Sequence, residues 1–122
     1  MHKLIFTGFI SQEPVKRYTQ KGDAVLDLNF RTSDWNGKER VTIWIKGSLW
    51  GKRIESLEQY LAKGTPVAVE GKLLHQEGNP RVYTTNAGET RASFEIIIVD
   101  IDPFIGGKQQ ENAPANNEDV PW

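Results

Sequence analysis

Between Val41 and Lys46 apolar and other side chains alternate: Val41, Ile43 and Ile45 fall on one side of an extended chain, Thr42, Trp44 and Lys46 on the other. An apolar face of three β-branched residues turns Trp44 outward, beside the Lys46 ammonium. An exposed indole next to a cation is a surface on which a flat ring, such as the base of an unpaired nucleic-acid strand, can stack while the cation meets a phosphate. The stretch Arg81 to Thr85 repeats the pattern, with Val82 and Thr84 on one side and Arg81, Tyr83 and Thr85 on the other. Trp35 lies in the polar segment Asp34-Trp35-Asn36-Gly37, where a buried role is hard to arrange, and Trp50 lies just before the segment expected to be helical. Trp35, Trp44, Trp50 and Tyr83 are therefore candidate stacking surfaces, with Lys46, Lys52, Arg53 and Arg81 as candidate phosphate contacts. Each has a plainer reading. Trp and Tyr are often half-buried structural residues with one wet end, Trp35 can fill a subunit interface, and Lys and Arg are solvated charge by default.

Other chemistries find less to work with. The chain has no cysteine, so disulfides, thiolate metal sites and thiol nucleophiles are excluded. His2 and His75 stand far apart, in neither a metal nor a triad spacing, and no glycine-rich phosphate loop precedes a helix. The carboxylates form no suggestive pair. No enzyme activity, metal or cofactor is expected.

The candidate residues need a scaffold, and the pattern supplies a sheet. Lys3 to Ile10 reads as a first strand, with Gly8 marking a bend. Ala24 to Arg31 follows a Gly22-Asp23 turn and sets Ala24, Leu26, Leu28 and Phe30 against Asp27, Asn29 and Arg31. Asp34 to Gly37 reads as a hairpin loop, then Val41 to Gly47 as a third strand. Ser48 is the expected cap of a short helix carrying Ile54, Leu57 and Leu61, stopped by Lys63-Gly64. Val67 to Leu74, a wing at Gln76 to Pro80, Arg81 to Thr85, a turn at Asn86-Ala87-Gly88 and Arg91 to Ile101 complete the order. An all-β chain with one helix between the third and fourth strands of a closed five-stranded sheet is an OB-fold arrangement, with an SH3-like barrel as the alternative.

The chain is long enough for one domain of 122 residues, expected to span 1–105. Residues 106–122 are rich in Gly, Gln, Asn, Ala, Pro and Glu, cannot bury enough surface to order themselves, and are expected to be disordered. That tail ends in Glu118-Asp119-Val120-Pro121-Trp122: two acids, then an apolar tripeptide, the composition of a short motif whose indole enters a partner's pocket while its carboxylate meets a basic group. The net charge is -1 overall. The first 105 residues are almost neutral and the tail is acidic, so any hold on nucleic acid must draw much of its strength from stacking. The N-terminus lacks a cleavable apolar block, and a cytoplasmic protein with no membrane association is expected.

Several stretches, in this order, together resemble the bacterial single-stranded DNA-binding protein family across essentially the whole chain. They are Leu4-Ile5-Phe6-Thr7-Gly8, Glu13-Pro14-Val15-Lys16-Arg17-Tyr18, Tyr60-Leu61-Ala62-Lys63-Gly64, Val69-Glu70-Gly71-Lys72-Leu73, Arg91 to Glu95 and the acidic, Pro-aromatic end. The resemblance implies an OB-fold homotetramer that binds single strands without sequence preference at the replication fork and hands them to replication, recombination and repair proteins. By position, the family's stacking aromatics fall on Trp35, Trp44, Trp50 and Tyr83, and its partner-binding tip on Glu118 to Trp122. The sequence departs from the family's pattern in having Tyr83 where Trp is common, a longer wing near Gly78-Asn79-Pro80, a short linker and a final Trp122 in place of Phe. The rival reading is a protein-interaction adaptor of the replisome on the same barrel, its aromatics serving a protein partner. Stacking alone does not separate DNA from RNA, since that choice rests on contacts to the 2′-hydroxyl.

Overall fold

The computed structural model describes residues 1 to 104. In chain order the elements are β1 (Leu4–Ile10), β2 (Val15–Tyr18), β3 (Ala24–Trp35), β4 (Arg40–Trp50), α1 (Arg53–Leu57), a 3-10 turn (Glu58–Tyr60), β5 (Pro66–Leu73), β6 (Val82–Thr84), β7 (Thr90–Ala92) and β8 (Phe94–Pro103). Five strands pair in the ring β1-β5-β8-β4-β3, closed where Phe9 and Ile10 of β1 ladder with Arg31 and Phe30 of β3. The helix falls between the third and fourth strands of that ring. This is the expected OB barrel. Most ladders are antiparallel, but β8 runs parallel to β4, Ile45 opposite Phe94 through Ser48 opposite Ile97.

Alternation fills the barrel. Leu26, Leu28 and Phe30 of β3, Ile45 and Leu49 of β4, Val67 and Val69 of β5, and Ile96, Ile98 and Ile101 of β8 are buried in one cluster with Ile10. Phe6 meets Phe30 edge to face, ring centres 5.5 Å apart. Each such side chain contributes about 1.5–3 kcal/mol by leaving water. Ile54 of α1 and Leu61 beyond the 3-10 turn are also fully buried, which holds a helix otherwise too short to persist. Two glycines are required by close approach. A Cβ on Gly47 would lie 2.9 Å from Ile98 Cδ1 and 3.0 Å from the Phe30 ring, and one on Gly8 would press on the Arg31 carbonyl oxygen where β1 crosses to β3.

The structure departs from the sequence expectations at the ends of elements. β3 continues to Trp35 and β4 to Trp50, so the two strands pair from Val25 opposite Trp50 to Trp35 opposite Arg40. The hairpin turn shifts to Asn36–Glu39, where Asn36 Oδ1 accepts from the backbone N–H groups of Lys38 and Glu39, both at 2.9 Å. Ser48 therefore belongs to β4 and caps nothing; Lys52 stands at the helix start with no side-chain cap. A cap bond is worth about 1 kcal/mol, less than the extra ladder that claims Ser48. Strand β2, hidden in a segment of mixed polarity, pairs with β3 from Val15 opposite Asp27 to Tyr18 opposite Ala24. The final strand is broken at Ser93: Thr90–Ala92 turn back to β6 and Phe94 begins β8. The expected tail and its tip at Glu118 to Trp122 lie outside the described residues.

Candidate nucleic-acid interface

Because β3 and β4 alternate inward and outward in register, one parity of each faces away from the core. On β4 that set is Arg40, Thr42, Trp44, Lys46, Ser48 and Trp50; opposite them on β3 stand Trp35, Ser33, Arg31, Asn29, Asp27 and Val25. Trp44 is 60 % exposed, Trp35 58 % and Trp50 42 %. Such large apolar rings left in water on one ribbon need a ligand or partner to explain them. Trp50 lies six residue steps along the strand from Trp44, roughly 20 Å at 3.4 Å per residue, so the indoles line a path rather than a pocket. Ser48 fixes the far one: the Trp50 Nε1–H donates to Ser48 Oγ at 3.2 Å.

Tyr83 reaches the same path from a separate element. β6 and β7 form a two-stranded hairpin in which Tyr83 pairs with Arg91. The in-and-out reasoning that selected Tyr83 does not apply there, since Val82 on the other side is also exposed. What places Tyr83 is the fold of the hairpin over the barrel: with Trp44, Lys46, Arg91 and Phe94 it lines an open groove of about 500 Å³. A second groove, of about 570 Å³, shares Lys46 and Asn29 with the first and adds Arg81 and Arg17. Trp50 and Lys52 line a third, of about 410 Å³, with Tyr18 and Lys16. Arg53 is turned elsewhere. Its guanidinium donates to the Val99 carbonyl at 2.5 Å and lies 4.0 Å from Asp100, tying α1 to β8.

The local charge differs from the formal total. Three carboxylates near the ribbon are paired, Asp27 with Arg17 at 2.6 Å, Glu95 with Arg81 at 3.4 Å and Glu89 with Arg91 at 2.9 Å, while Asp23 and Glu55 line the groove of Trp50 and Lys52 without an ion pair among the described residues. The Arg17 hydrogen bond to Asp27, then the carboxylate's charge, raises the Arg17 pKa further. Among the described residues, no carboxylate lies within 4 Å of Lys46, Lys52, Arg31 or Arg40. A polyanion is drawn to the unpaired Lys46, Arg31 and Arg40 of the ribbon. Lys46 shares a groove with Trp44 and Tyr83 and Lys52 one with Trp50, whereas Arg81 shares a groove with Lys46 but is paired with Glu95, and Arg53 lines none of the three. Arg91 and Phe94 were not among the sequence candidates. Only the break at Ser93 brings them to the groove, and no periodicity marks that break.

A family model described as the single-strand binding protein family matches residues 1–104. The chain is similar to the solved structure of Plasmodium falciparum SSB in complex with ssDNA, at 26% identity and TM-score 0.63, over 85% of this chain and 95% of that one. It is also similar in fold to a small single-stranded DNA-binding protein from Streptomyces coelicolor, at 21% identity and TM-score 0.63, over 87% of this chain and 96% of that one.

Proposed function

Since the chain belongs to the single-strand binding protein family, we propose that it holds single-stranded DNA, without sequence preference, along the outward ribbon of β3 and β4. Bases stack on Trp35, Trp44, Trp50 and Tyr83, and Lys46, Lys52 and Arg81 meet phosphates. The observation that carries this reading is the alignment of three exposed indoles on one face of a single hairpin, with unpaired cations between them. Stacking accepts every base, because every base has a π-face, so such a surface protects a strand without reading it. No chemical step is asked of these residues, and the protein acts as a binder rather than an enzyme.

The proposal extends to the rest of the chain. Residues 1–105 form the binding domain, and 106–122 carry the Glu118 to Trp122 tip to replication, recombination and repair proteins. Copies of the chain associate through the flank of β1, β5 and β8, as a tetramer in keeping with the family the chain resembles. Support for self-association comes from Ile5, 69 % exposed on β1. It is strengthened by the ladder of β1 to β3, which is confined to Phe9 and Ile10, so the first residues of β1 have a partner strand on the β5 side alone among the described residues.

The test is intrinsic tryptophan fluorescence during titration with poly-dT, against duplex DNA of equal phosphate content, at low and high salt. Strong quenching by the single strand alone, with a modest salt slope, is expected. Absence of quenching by poly-dT would instead point to the protein-interaction adaptor, whose aromatics serve a protein surface.

A further inference from the structure

Across the ladder from Trp44 stands Arg31, and across from Trp35 stands Arg40. Directly opposed residues of an antiparallel pair have Cβ atoms about 5 Å apart, so each of these two indoles has an arginine rooted beside it on the neighbouring strand. A base and its own phosphate are joined through one sugar, and a ring and a long cationic side chain rooted that close can reach the two ends of one nucleotide.

Both arginines are held without being neutralised. The Arg31 guanidinium lies 4.6 Å above the Phe9 ring, and Phe9 is itself opposite Arg31 on β1, so Phe9, Arg31 and Trp44 form one row across three strands. Stacking on a ring orients the planar fork and leaves its N–H groups free for a phosphate. Arg40 donates through Nη1 to Ser33 Oγ at 3.1 Å, a neutral partner. The two side chains, with Thr42, Ser33 and Thr7, line an open groove of about 520 Å³ at the side of the barrel. It lies at the Trp44–Trp35 end of the ribbon, away from the groove that holds Trp50.

We propose that Arg31 and Arg40 are phosphate contacts of a strand path that continues past Trp44, along the Trp35 end of the hairpin and onto the barrel flank beside Phe9. This rests on the single-strand binding reading above, and it makes Phe9 a positioning residue that aims Arg31. The path then has two segments: one from Trp50 to Trp44, with Lys46 and Lys52, and one from Trp44 toward Trp35, with Arg31 and Arg40.

The experiment compares the full chain with R31Q/R40Q, and with K63Q/K72Q as a charge-matched control away from the ribbon. Binding of dT oligomers of increasing length is followed by tryptophan quenching across a salt series. For long oligomers the double arginine variant should lose about 1.4 from the slope of log K against log[salt], roughly 0.7 for each phosphate contact on a single strand. Short oligomers that span only Trp50 to Trp44 should bind it as they bind the wild type. An unchanged slope, or an equal loss in K63Q/K72Q, would overturn the assignment, as would equal weakening at every oligomer length. If the wild-type protein failed to bind dT at all, the function itself would fall, a result read before any variant is compared. A shifted melting temperature in R31Q/R40Q is controlled by R31K/R40K, which should keep the slope.

Discussion

The outer face of β3 and β4 and the outer face of β1, β5 and β8 both leave large apolar side chains in water, but of different kinds. The first shows Trp35, Trp44 and Trp50 among Arg31, Arg40 and Lys46. The second shows Ile5, Ile97 and Val99 among charges of both signs: Glu70 tied to Lys3 at 3.3 Å, Asp100 4.0 Å from Arg53, Lys72 opposite Ile97, and Asp102. An aromatic ring offers a π-face to any flat partner, while an aliphatic side chain gains chiefly by leaving water against a surface of matching shape. The contrast teaches that hydrophobic exposure is not one signal: aromatic rings on one face and aliphatic side chains on the other favour partners of different chemistry.

The largest expected effect removes both faces together. Gly8 is paired with Val67 of β5 just before β1 also ladders with β3, and Gly8→Val would force its side chain into the Arg31 carbonyl, a cost of about 3 kcal/mol. A fall in melting temperature of at least roughly 12 °C should follow; an unshifted melt would mean that β1 has room the structure does not show. Trp44→Ala should then separate the faces, weakening dT binding by about 1–3 kcal/mol with no change in the mass measured by sedimentation. Equal loss of assembly would show that the two surfaces are one. The converse variant, Ile5→Asp, should lower the assembled mass, since burying an isoleucine is worth about 1.5–3 kcal/mol. Its affinity for an oligomer short enough for one protomer should stay at the wild-type value. The smallest effect sharpens the ribbon itself: Ser48→Ala removes the acceptor of the Trp50 indole N–H, and dT affinity should drop by about 0.5–1.5 kcal/mol, read by titration beside the stronger Trp50→Ala.

Much of this was legible in the sequence because the core strands alternate cleanly. Leu26, Leu28 and Phe30 against Asp27, Asn29 and Arg31 gave both the buried face and the outward one, and Val41 to Lys46 placed Trp44 correctly outside. Where a second requirement competed with alternation, the reading failed. Val25 is buried although its parity is outward, and β2, polar on both sides, carries no period at all. Ser48 reads as a cap only if β4 has already ended, and nothing local says that it continues. Tyr83 was selected by a rule that its exposed hairpin does not obey. The row of Phe9, Arg31 and Trp44 could not be read from spacing, because it depends on a closure between β1 and β3 that brings distant segments into register.

The parallel ladder between β4 and β8 has a consequence in time. The ribbon of β3 and β4 is a local hairpin, joined by a tight turn, of the kind that forms in about 1–10 μs. The barrel behind it waits for β8, which comes last in the domain and must enter between β5 and β4 as the piece that completes the ring. During synthesis the hairpin that carries the indoles therefore exists before the wall that supports it, with two open strand edges inviting wrong pairings. Release of Phe94–Pro103 from the ribosome is the event that turns an adhesive sheet into a closed vessel.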